Sequence, residues 1–110
     1  MSYDQHLKER VAQLLQRKHV RFEEKKMFGG IAFMVQHKVC VAVIKESLLV
    51  KLDPAEREAA LKKKGCREMD FSKRTSKGAV FVDPEGTDKD KDLEYWVGVA
   101  LTYNKKAAGF

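Results

Sequence analysis

Three histidines, two cysteines, a run of alternating aspartates and a Gly-Gly pair are the places in this chain with chemistry to offer. His6 and His19 fall at or near the ends of the first amphipathic segment, and His37 falls in a turn. None neighbours a plausible nucleophile in sequence, so all three read as isolated surface groups and not as general acids or bases. Cys40 sits in an apolar run and Cys66 follows Gly65. Their spacing is neither a redox pair nor a metal-ligand pattern. Two reduced thiols packed as small apolar groups is the expected state, with a disulfide between them left open. Asp88, Asp90 and Asp92 alternate as in a calcium loop, but counting from Asp88 puts Leu93 where that loop needs glycine and Val99 where it needs glutamate. Acids at the start of a helix, favoured by its dipole, explain the run better. No catalytic residue, metal site or cofactor site is expected.

The charge pattern is dipolar. The 110 residues carry a net charge of +6, which raises the question of a polyanionic partner. From Arg57 to Lys77 eight basic residues face three acidic ones, and from Asp83 to Glu94 six acidic residues face two lysines. Lys62, Lys63, Lys64, Arg67, Lys73, Arg74 and Lys77 form a candidate polyanion-binding segment. Such cations give affinity for phosphates without sequence choice. Aromatic interleaving is poor, and no helix-turn-helix, zinc or base-stacking signature accompanies them. A solvated surface is the alternative, as is a meeting of this segment with the acidic one, within one chain or between two.

These residues must be positioned by one domain, residues 1–110. Leu7, Val11, Leu14 and Leu15 recur at helical spacing between Tyr3 and Lys18, with Ser2 or Asp4 as cap. Arg21 to Phe28 reads as an edge strand around Glu23-Glu24-Lys25-Lys26, with helix as the rival. Strands follow at 31–35 and 39–44, joined by Gln36-His37-Lys38, then at 48–52. Asp53-Pro54 with Glu56 starts a helix that runs to Lys62-Lys63-Lys64 and stops at Gly65. A short polar strand at 66–71, a basic loop at 72–78, a buried strand at 79–82 and an Asp-Pro-Glu-Gly turn come next. The last helix, from Thr87 or Asp88, places Leu93, Trp96, Val97, Ala100 and Leu101 on one face, with Tyr103 as a further candidate. Trp96 belongs to the core by this spacing. The result is an α+β class with a mainly antiparallel sheet of about five strands and three helices.

Strands packed on one side alternate apolar with polar residues. Ile31–Val35 and Val39–Ile44 are apolar on both faces. Either three short helices cover both sides of the sheet, or helices cover one side and a second copy the other. A homodimer through the sheet, or part of it, is the expectation. No apolar run approaches the roughly 20 residues of a membrane span, and the N-terminus lacks a secretory pattern. A cytoplasmic protein without membrane contact is expected.

Lys26-Met27-Phe28-Gly29-Gly30 is the most informative stretch, a charged strand that meets two glycines and leaves as the apolar Ile31-Ala32-Phe33-Met34-Val35. Glycines suit a turn, a bulge or the close approach of another backbone, and they lack the spacing of a dinucleotide site or P-loop. Met27 and Phe28 as core anchors and the glycines as turn or bulge are weighed against a ligand or partner approaching the bare backbone. The stretch, with Leu48–Leu52, Met69-Asp70-Phe71 and Val80–Gly86, resembles the N-terminal domain of the TfoX/Sxy family of bacterial competence regulators, over roughly residues 3–103. The resemblance implies a two-layer, secretion-chaperone-like fold, no known catalysis, and a non-enzymatic regulatory or protein-interaction role. Lys26 stands where that family most often has arginine, and the competence regulators carry a second domain, so transcriptional co-activation is not carried over. A nucleic-acid-associated accessory protein using Lys62 to Lys77 is the alternative.

Overall fold

The computed structural model describes residues 3–27, 29–71 and 74–107, with the backbone alone for 69–71, 74–77 and 107. Its elements are α1 (Gln5–Arg17), β1 (Glu23–Met27), β2 (Gly30–Val35), β3 (Lys38–Ile44), β4 (Ser47–Lys51), α2 (Arg57–Leu61), β5 (Cys66–Phe71), β6 (Arg74–Val82) and α3 (Asp90–Ala107). The strands form one antiparallel sheet in the order β1-β2-β3-β4-β6-β5. The α+β class holds, with six strands where about five were expected.

α1 forms as its spacing dictates. Asp4 caps it, with Oδ1 accepting from the backbone N–H groups of His6 and Leu7 at 2.9 and 3.2 Å. Leu7, Val11, Leu14 and Leu15 are its buried residues. Its C-terminus closes with the N–H groups of His19 and Val20 on the carbonyls of Gln16 and Leu15. That pairing puts His19 at φ 58°, a left-handed position usually given to glycine.

Four local expectations change. The β2–β3 turn is Gln36-His37 alone, both left-handed, and Lys38 already belongs to β3. The helix after Asp53 is shorter than its punctuation suggests: a 3₁₀ turn at Pro54–Glu56, capped by Asp53, leads into the single α-helical turn of α2. Arg74 to Gly78, expected as loop, is the first half of β6. The last helix begins at Asp90, after a 3₁₀ turn at Pro84–Gly86.

All three helices lie on one side of the sheet. Their buried residues join Ile31, Phe33, Val41, Val43, Leu48, Val50, Val80 and Val82 in the main core. Each fully buried aliphatic side chain there stabilises the fold by about 1.5–3 kcal/mol. A β-bulge lets Cys40 and Val41 both enter this core, because Phe33 opposes Val41 while Met34 opposes Val39. Burial pushes the Cys40 thiol up to about 12. At half-buried Cys66, burial and then the Asp83 charge push it up to about 11. Both thiols are free. Trp96 is buried in the main core as its spacing predicts.

Ala32, Ala42, Leu49, Ala79 and Phe81 form a second cluster on the opposite side, with no helical residue among them. The doubly apolar strands therefore have helices on one face only. No helix among the described residues is long and apolar enough to cross a membrane.

Candidate interaction surface

The glycine motif lies at the turn between β1 and β2, where Met27 opposes Gly30, Lys25 opposes Ala32 and Glu23 opposes Met34. The two glycines are there for different reasons. Gly29 has φ 75° and open space where a Cβ would stand, so its backbone conformation is what glycine supplies. At Gly30 a Cβ would lie 2.1 Å from the Val43 carbonyl oxygen, so β3 occupies the place of a side chain. Met27 is half-buried against the second cluster and Lys26 is exposed. Phe28 lies outside the described residues.

One row of side chains crosses the helix-free face on all six strands, Lys25–Ala32–Ala42–Leu49–Phe81–Arg67. Two alanines make its middle shallow, and longer neighbours close over them: Met27, Met34, Val39 and Ile44 are half-buried around the cluster. Among the described residues the one exposed large apolar side chain is Tyr95, on α3. The helix-free face is thus apolar but already well folded upon itself, and its border is more open than its middle. β1 is that border. Glu23, Glu24, Lys25 and Lys26 are all exposed there, and among the described residues β1 pairs only with β2.

The basic segment is not gathered into one site. Lys62, Lys63 and Lys64 are exposed after α2, with the Lys63 ammonium 4.6 Å from the centre of the Tyr95 ring. Arg67 is engaged elsewhere: its Nε donates to both Asp83 carboxylate oxygens at 3.1 and 3.0 Å, and its guanidinium lies 4.8 Å from the centre of the Phe81 ring. Lys73 lies outside the described residues, as do the side chains of Arg74 and Lys77. The acidic segment meets the basic one within the chain through Asp83 and Arg67. Asp90, in the first turn of α3, meets Arg10 of α1 at 3.1 Å.

Sequence reasoning missed Ser47. It is buried and donates to Asp83 Oδ1 at 2.6 Å, while Arg67 Nη2 donates to its Oγ at 3.4 Å. A serine at the start of an apolar strand gives no sign of this. Burial pushes the Asp83 carboxyl up, but the hydrogen bonds from Ser47 and Arg67 and the guanidinium charge outweigh it, leaving the pKa below the ordinary carboxylate value. The stability this network contributes is in place above that ordinary value and is lost as pH falls through the lower folded one. Asp83→Asn is therefore expected to flatten the acid limb of the stability profile, read as urea midpoints from about pH 6 down to about pH 2. An unchanged acid limb would show that Asp83 contributes nothing there.

His19 and His37 are exposed and line one open cleft of about 1200 Å³, with Arg21, Phe22 and Asn104. Asn104 is buried on α3; its Nδ2 donates to the Val35 carbonyl at 2.9 Å, and its Oδ1 has no partner among the described residues. The histidines hold positive φ because they occupy a helix stop and a two-residue hairpin turn. Their backbone role is clear, and no nucleophile accompanies them among the described lining residues.

The family model for the TfoX N-terminal domain matches residues 13–103. The chain belongs to that family. The match runs from the middle of α1 into the last turns of α3 and takes in all six strands. Neither a curated protein nor a solved structure matches the chain. In this TfoX N-terminal domain Met27 pairs with Gly30 where β1 folds back on β2, Gly29 supplies the left-handed backbone there, and β3 presses against Gly30.

Proposed function

We propose that this TfoX N-terminal domain is a non-enzymatic regulatory or protein-interaction module that works as a homodimer. One observation carries the reading: the described helices all pack on one side of the sheet, and the other side, closed over its own middle, ends at the open, charged strand β1. A working surface on that side needs no catalytic group. The basic segment supports a nucleic-acid role less well, because Arg67 is held by Asp83 and Phe81, and Lys63 lies against Tyr95. The mass from light scattering across a concentration series is expected to rise from the 12.6 kDa of one chain toward twice that value as the concentration passes from micromolar to hundreds of micromolar. A monodisperse monomer throughout would remove the dimer. Binding to DNA or RNA that weakens steeply with salt would favour the nucleic-acid reading instead.

A further inference from the structure

The geometry points to β1 as the seam of that homodimer, paired antiparallel with its own copy so that two six-stranded sheets become one. The inference rests on the homodimer reading and names its contact. β1 is a sheet edge, and an edge offers alternate backbone N–H and C=O groups to any strand that adds to it. Charged edges normally repel such additions. Here the charges select the partner, because the order Glu23-Glu24-Lys25-Lys26 is acidic then basic, and an antiparallel copy presents it reversed.

Symmetry fixes which residues meet. A two-fold axis relating antiparallel neighbours in one sheet stands normal to it, so helix layers stay on the same side and each face meets itself. Side chains directly opposite share a face. Glu23 and Lys25 stand on the helix-free face, opposite Met34 and Ala32 of β2. Glu24 stands on the helix face, where its carboxylate lies 3.1 Å from Lys8 of α1. Glu23 therefore cannot oppose Lys26 of a copy, but it can oppose Lys25.

Two registers set opposite charges across the seam. With Lys25 on the axis, Glu24 of each copy faces Lys26 of the other, but Glu24 already holds Lys8, Glu23 faces Met27, and two lysines confront each other with no described acid paired to either within the chain. With Glu24 on the axis, Glu23 of each copy faces Lys25 of the other, giving two opposite-charge pairs. The two central glutamates each bring a Lys8 ammonium of their own. The second register satisfies every charge on the seam but Lys26. Five residues of edge make a small contact, so the dissociation constant is expected on the order of 10 µM.

The test is a pair of charge reversals. Glu23→Lys and Lys25→Glu each convert both cross-pairs to like charges, and each is expected to weaken the dimer roughly tenfold or more in sedimentation equilibrium. Mixed together, the two variants restore both pairs and are expected to form a heterodimer of wild-type strength. Glu24→Cys is expected to yield a disulfide-linked dimer under mild oxidation, because axial residues stand within disulfide reach. Single variants that dimerise as the wild type does, or a mixture that fails to recover, would overturn the seam and leave the homodimer reading standing. Cross-linking of Lys25→Cys in place of Glu24→Cys would overturn this register. A wild-type chain monomeric at every concentration would overturn both. Circular dichroism of the variants, whose changes lie on exposed positions, confirms that folding is not what the reversals disturb.

Discussion

Gly30→Ala is expected to lower stability by about 3 kcal/mol or more, which is a large share of the margin of a domain this size. The added methyl carbon would start 2.1 Å from the Val43 carbonyl oxygen and 3.1 Å from the Ile44 and Val43 backbone carbons. Neither neighbour is the free end of a side chain. To make room, β2 must part from β3, and the pairing of Ile31 with Val43 is the next one along. Gly29→Ala is the control. It meets nothing within 4 Å and suffers only from its φ of 75°, so about 1–2 kcal/mol is expected. Urea midpoints of the two variants should therefore differ clearly, with Gly30→Ala the lower. Equal midpoints would mean that β3 yields easily, and that the close approach is not what requires glycine.

That contrast marks what could be read in the sequence and what could not. The pair was legible as a corner between strands, with turn and close backbone approach both open; the structure assigns one role to each residue. α1 was legible because Leu7, Val11, Leu14 and Leu15 keep helical spacing and Asp4 precedes them. β1 was legible as an edge because four charged residues in a row suit no central strand. The pairing of β4 with β6 in place of β5 left no local trace, since strand order depends on contacts between residues 48–51 and 79–82. The left-handed turns at His19 and at Gln36-His37 were hidden for the opposite reason: the chain has none of the glycines that usually announce them. At the candidate surface, the open charged edge was legible. The closing of the helix-free face over Ala32 and Ala42 was not, because small residues look the same in a sequence whether their neighbours lean over them or stand aside.

Gly65 and Gly86 carry the second large effect. Each reads locally as punctuation, one ending α2 and the other closing an Asp-Pro-Glu-Gly turn, yet they press on one another. A Cβ on Gly65 would lie 2.6 Å from the Gly86 nitrogen and 2.9 Å from its Cα, and Gly65 also has φ 80°. A Cβ on Gly86 would lie 2.5 Å from the Lys64 carbonyl oxygen and 2.6 Å from Val82 Cγ1. Either alanine must push the α2–β5 turn off the 3₁₀ turn before α3, so each is expected to cost about 3 kcal/mol. The double variant is expected to cost clearly less than the sum, because one opening admits both methyl groups. The damage should also reach the Asp83 network. The Asp83 N–H donates to the Gly65 carbonyl at 2.8 Å, and its carbonyl receives the Gly86 N–H at the same distance. Displacing that backbone draws the carboxylate away from Ser47 and Arg67. Gly65→Ala should therefore also flatten the acid limb that Asp83→Asn flattens, whereas Gly29→Ala, separated from Asp83 by strands β3 and β4, should leave its shape intact. Strict additivity of the two alanines, with an unaltered acid limb, would mean that the turns move independently and that Asp83 is positioned by its side-chain partners alone.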